Sequence, residues 1–234
     1  MKPVDELKDK IAASCKILHR EGHHDYIWGH VSARESGKTE YWMKPRSLGF
    51  NEITSEELVL INYDGEKIGG SPISERHGEY PIHSEIYRKR DNVNCIIHTH
   101  SFYATLLSAL QKPIDPINND GCLFFESLAF YNITSNLITT KEQGVSIAQC
   151  LGNNIAMLMR NHGIVVTGKN VEEATAVAIY LERAAKCQIM TLTVGEKVCL
   201  NNQEVKNRLQ EHFNSDNLND LFAYLKRCAM KSEE

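Results

Sequence analysis

The chain has 234 residues, 42% hydrophobic and 24% charged, which is ordinary globular usage with enough apolar material for one large core. A formal net charge of −4, with basic residues scattered rather than clustered, excludes a polybasic surface for nucleic acid or an anionic membrane. Seven cysteines without CxxC spacing exclude a disulfide framework and read as reduced thiols of a cytoplasmic protein; no segment approaches the ~20 apolar residues of a membrane span, and Met1 to Leu7 holds no apolar signal core.

Val4, Leu7, Ile11, Cys15 and Leu18 recur at helical spacing, and Gly22 is a natural stop. A β-rich stretch follows, with strands predicted over 30–34, 41–43 and 58–61, a turn around Asp64-Gly65 and a further strand from Lys67. Residues 69–80 form a polar loop, and Pro81 suits the first turn of a helix carrying Ile82, Ile86 and Tyr87. The run 93–100 reads as a buried strand ending in two histidines, with Ser101 placed to cap a helix over 102–110. Strand-like segments at 155–159 and 164–166 flank Asn161-His162-Gly163. Gly168 then turns the chain into a long helix from Val171 to about Thr193, and two amphipathic helical patterns close the sequence. No repeat or linker divides the chain, so it reads as one α/β domain over 1–234, a central sheet with helices on both faces, with the core at about 5–200 and terminal helices at 201–234.

Residues two apart on a strand point the same way, so His98 and His100 can approach one metal ion together. His162 stands at another strand-like segment, where Gly163 lets the backbone pass close by, and is placed to supply a third ligand. Three protein ligands with an open position is the pattern of a catalytic metal rather than a structural one. Two hydrogen-bonded histidines at a strand end would satisfy the same spacing. Glu79, just ahead of the helix begun by Pro81, is either a solvated loop residue or a carboxylate beside the metal able to move a proton.

The motifs occur in a recognisable order: Gly29-His30-Val31-Ser32-Ala33-Arg34; Glu79 with His83; Ile97-His98-Thr99-His100-Ser101; and Arg160-Asn161-His162-Gly163 with Gly168 and Glu172-Glu173-Ala174. Together they resemble the class II aldolase/adducin family over about residues 5–200. The resemblance implies a three-layer α/β/α fold around a mainly antiparallel or mixed sheet. It also implies one divalent metal ion, zinc with manganese or cobalt as alternatives, held by His98, His100 and His162. Glu79 would be the proton-shuttling acid, Tyr131 a catalytic tyrosine, and the assembly a homotetramer with the site near a subunit interface.

Where the phosphate-using aldolases of that family carry Gly-Asn, Thr-Gly and Ser-Ser, this chain reads Gly29-His30, Arg46-Ser47 and His77-Gly78. Small amide and hydroxyl donors are thereby replaced by bulkier basic groups, and His30, Arg46 and His77 become candidates for holding a substrate carboxylate. The stretch Glu21 to Ser32 resembles the decarboxylase-type members of the family. The expectation is a metal-dependent lyase, decarboxylase or aldolase, acting on a small non-phosphorylated hydroxy or keto carboxylate through an enolate. A sugar-phosphate aldolase or epimerase, and a non-enzymatic adducin-like scaffold, are the alternatives.

Overall fold

A computed structural model describes residues 3–231; residues 1–2 and 232–234, the ends of the domain read from the sequence as 1–234, lie outside the described residues. Eight strands form one continuous sheet: β1 (His30–Ala33), β2 (Glu40–Met43), β3 (Val59–Asn62), β4 (Lys67–Gly70), β5 (Cys95–Thr99), β6 (Leu128–Tyr131), β7 (Ala156–Met159) and β8 (Gly163–Gly168). They lie in the order β4-β3-β2-β1-β5-β8-β7-β6, and every neighbouring pair is antiparallel except β6 with β7. The sheet is therefore mixed and mainly antiparallel, as the family resemblance implied.

Both faces of the sheet are covered, which explains its nearly uniform apolar strands. Successive residues of a strand point to opposite faces. Val31, Ala33, Cys95, Ile97, Ile164 and Val166 enter one apolar cluster with the helices α1 (Pro3–Leu18) and α6 (Val171–Val194). Met43, Ile61, Ile96, Met157 and Val165 enter a second one with α2 (Tyr80–Lys89) and α5 (Lys141–Leu151). Side chains that follow this second parity, His30, Ser32 and His98 among them, point toward α2. In α2 every residue from Pro81 to Tyr87 is buried, because the helix lies between the sheet and α5.

One local expectation is corrected. Ser101 does not cap α3 (Phe102–Leu110) with its side chain; the buried Glu182 of α6 accepts instead from Tyr103 N and Ala104 N at 2.9 and 2.8 Å. A carboxylate there satisfies two end amides of the helix and complements its positive dipole end. The segment between α3 and β7, to which no element was assigned from the sequence, holds a short α4 (Asn119–Cys122), β6 and α5. Gly144 interrupts the apolar pattern of α5, yet only glycine fits there, since a Cβ would lie 2.5 Å from Pro81 O.

The closing helices are α7 (Asn202–His212) and α8 (Ser215–Ala229). α8 packs on α1 and α6, burying Leu218 and Phe222, so its amphipathic pattern is core packing. No helix among the described residues is long and apolar enough to cross a membrane.

Candidate active site

Strand pairing builds the site from its floor upward. The β1–β5 register sets His30 opposite His98 and Ser32 opposite Ile96, and the β5–β8 register sets His98 opposite Val165. His100 lies just beyond the end of β5. His162 is carried in by the tight β7–β8 connection, where Asn161 takes the left-handed conformation at φ 55°. Gly163 is obligatory at this point: a Cβ would stand 2.4 Å from Thr99 O and 2.8 Å from the His100 ring. Glu79 is the N-cap residue of α2, but its side chain makes no capping bond and is free to reach into the site.

His98, His100, His162 and Glu79 each offer a ligand atom within 4.8 Å of the others. Glu79 is the hub. Its Oε2 lies 3.7 Å from His98 Nε2 and 3.8 Å from His30 Nε2, and its Oε1 lies 3.8 Å from His162 Nε2 while accepting from Ile138 N at 2.8 Å. With no cation beside it, burial pushes the Glu79 carboxyl up to about 7, opposed by the Ile138 bond.

Hydrogen bonding tests whether a cation fits among these groups. His98 Nδ1 is 2.9 Å from Ile164 O and His100 Nδ1 is 2.9 Å from Asp25 Oδ2. Carbonyl and carboxylate oxygens only accept, so both Nδ1 atoms carry protons, and each ring, when neutral, presents a lone pair at Nε2. Those two Nε2 atoms lie 3.1 Å apart, where two neutral rings would set lone pair against lone pair and a cation between them would turn that repulsion into attraction. Burial holds His98 well below its ordinary proton affinity, which disfavours a proton in that place. His162 adds two buried ring nitrogens with no partner. Three imidazoles, two of them oriented by outer partners, and an adjacent carboxylate are a donor set suited to zinc or another late divalent metal.

His77 is buried and His30 has no exposed surface; both lie on the other side of Glu79, with ligand-type atoms within 4.8 Å of its carboxylate. The exposed Arg46 lines the mouth of a cleft of about 760 Å³, together with His77, Glu79, His100 and His162. Tyr131 is not brought to this cleft. It is 1% exposed and belongs to the apolar cluster under α2 and α5, with Met159 as its strand partner.

Two contributors had no distinct mark in the sequence. Asp25, which orients His100, stands 75 residues away from it in the chain, and no spacing ties the two together. Lys44 is fully buried below the site, donating to Ile27 O and Pro45 O at 3.1 and 3.2 Å; burial depresses its ammonium to about 8, and its charge lowers the proton affinity of His77 and His30.

Comparison with known proteins agrees with this picture. The sequence profile described as "Class II Aldolase and Adducin N-terminal domain" matches residues 9–189. The Meiotically up-regulated gene 14 protein of Schizosaccharomyces pombe is 34% identical over 191 residues, covering 80% of this chain and 74% of that protein. Decarboxylase NovR of Streptomyces niveus is 28% identical over 67% of this chain and 58% of its own length. The L-fuculose phosphate aldolase of Methanococcus maripaludis is 27% identical over 74% of this chain and 90% of its own. An aldolase II superfamily protein from Pseudomonas syringae shares the fold with a TM-score of 0.88 at 24% identity, over 98% of this chain and 94% of that one.

Proposed function

The chain belongs to the class II aldolase and adducin family, and on that premise we propose that it is a divalent-metal-dependent lyase cleaving a carbon–carbon bond in a small, non-phosphorylated hydroxy or keto carboxylate. The observation that carries this reading is the approach of His98 Nε2 and His100 Nε2 to 3.1 Å, with both Nδ1 atoms engaged elsewhere, beside a His162 with no hydrogen-bond partner. His98, His100 and His162 would hold the ion, with zinc the first choice and manganese or cobalt as alternatives. Bound there, it supplies positive charge opposite the substrate oxygen on which bond breaking leaves negative charge.

The chain's own residues do the rest. Asp25 and the Ile164 carbonyl fix the tautomer and orientation of His100 and His98. Glu79, buried beside the three histidines with Oε2 3.7 Å from His98 Nε2, takes up the proton released by the substrate or returns one to the product carbon. Arg46 and His77 line the cleft beside Glu79, and a guanidinium there suits a carboxylate through paired donors. Tyr131, buried in the apolar cluster, is assigned a packing role.

Loss of carbon dioxide and retro-aldol cleavage demand the same charge stabilisation; the decarboxylase leads because NovR is among the relatives and because basic side chains stand where the phosphate-using aldolases carry small donors. The sugar-phosphate aldolase reading draws on the fuculose phosphate aldolase relative. An adducin-like scaffold would have no use for three converging imidazoles and Glu79. We further propose a cytoplasmic homotetramer, consistent with seven unpaired cysteines and with the exposed Trp28 and Leu137 at the cleft mouth, where a neighbouring subunit would cover them.

The test is elemental analysis of purified wild type beside His98→Ala and His162→Ala, followed by a screen of hydroxy and keto acids for carbon dioxide or aldehyde release. About one divalent ion per chain, lost in both variants, supports the site. A wild type that takes up no zinc, manganese or cobalt overturns the lyase.

A further inference from the structure

Beneath Glu79 a chain of buried polar groups runs away from the metal-type cluster into the interior. His30 Nδ1 lies 2.6 Å from His83 Nε2, His83 Nδ1 lies 2.6 Å from Ser32 Oγ, and Ser32 Oγ lies 2.8 Å from Tyr87 Oη. His30, Ser32 and His83 have no exposed surface and Tyr87 is 1% exposed. The strand parity that aims His30 and Ser32 at α2, and the one-turn separation of His83 and Tyr87 on that helix, bring the four together.

The direction of these bonds follows from the two ends. Ser32 Oγ is the one hydrogen-bond partner of the Tyr87 hydroxyl among the described residues, so Tyr87 must donate to it or leave a buried proton without an acceptor. Ser32 then donates to His83 Nδ1, His83 donates from Nε2 to His30 Nδ1, and the proton of His30 sits on Nε2. At the other end His30 Nε2 has no hydrogen-bond partner, and the carboxylate oxygen Glu79 Oε2 stands 3.8 Å away. A proton on Nε2 turns its positive end toward that oxygen across a gap longer than a hydrogen bond; the reverse chain would set a lone pair against it. Both ends select the same direction.

We propose that Tyr87, Ser32 and His83 are positioning residues that lock His30 as the neutral Nε2–H tautomer, a hydrogen-bond donor held for the Glu79 carboxylate. His30 is thereby a guide for Glu79 and neither a second metal ligand nor a direct substrate contact, although His30, His77 and Glu79 together have the spacing of a metal site. Burial agrees for the middle of the chain, holding His83 down to about 3 and its ring neutral. The importance of guiding Glu79 rests on the proposed lyase, whereas the tautomer of His30 does not depend on it.

The experiment is solid-state NMR of sedimented, zinc-loaded protein labelled with 15N-histidine, with the His30 signals assigned by their loss in His30→Gln. The expected wild-type result is a protonated Nε2 and an unprotonated Nδ1. In His83→Leu and Ser32→Ala this selection is lost and both His30 tautomers appear. In His83→Gln, whose amide can still donate to His30 Nδ1, the Nε2–H form persists. Metal analysis of the same samples is expected to give one zinc per chain in excess zinc, in wild type and variants alike. A wild-type His30 protonated at Nδ1, or a second zinc bound per chain, overturns the assignment. Absence of zinc with the Nε2–H tautomer intact overturns the metal reading alone.

Discussion

Ile138 N donates to Glu79 Oε1 at 2.8 Å, so the loop between β6 and α5 holds the carboxylate that begins α2. One oxygen is thereby tethered while Oε2 remains free between His98 and His30. Glu79→Gln retains a carbonyl for Ile138 but cannot carry a proton. We expect turnover to fall by about 10²–10⁴-fold, the range for loss of a general acid or base, with metal content unchanged. Steady-state kinetics with elemental analysis checks this, and a fully active Gln variant would remove Glu79 from proton transfer.

Asp25 acts on His100 from outside the donor set. Asp25→Ala should weaken metal binding by about 10–100-fold, the usual cost of deleting an outer partner of a ligating histidine. Competition with a fluorescent chelator reads this directly. An unchanged affinity would mean that the ion does not depend on the His100 tautomer.

Acid should destabilise the metal-free protein strongly. His23 and His83 are wholly buried, and burial lowers both to about 3 from the ordinary 6.5. Their folded values lie below their unfolded ones, so between about pH 6.5 and pH 3 the unfolded chain binds more protons. Stability is therefore full above that window and is lost as pH falls through it. At pH 5 each histidine costs about 2 kcal/mol. Urea midpoints measured in EDTA at pH 7.5 and pH 5 test this; equal midpoints would contradict it.

Gly163→Ala should damage both fold and site. The new Cβ would stand 2.4 Å from Thr99 O, so β8 must move away from β5 at the turn that delivers His162. A loss of about 1–3 kcal/mol, as for other overpacked positions, is expected together with reduced metal content. Thermal melting and elemental analysis of the variant provide the check, and a native-like variant with full metal would show that the turn adapts.

Most strands and helices were legible in the sequence because their signals are local: period-two apolar runs, Asp64-Gly65 at a hairpin, Pro81 opening α2. His98 and His100 were legible for the same reason, since two residues on one strand share a direction whatever the rest of the chain does. The weaker signals lay at 119–151, where β6 joins the sheet by parallel pairing and Gly144 breaks the pattern of α5 to let Pro81 approach. Only the tertiary structure determined how close the third histidine comes, because His162 and His98 meet through the register of β5 with β8. It likewise turned Tyr131 into the apolar cluster, set Asp25 behind His100 and made one buried chain of Tyr87, Ser32, His83 and His30. Residue type and spacing specify which groups can carry chemistry; the proton each one holds depends on partners tens of residues away, which packing alone supplies.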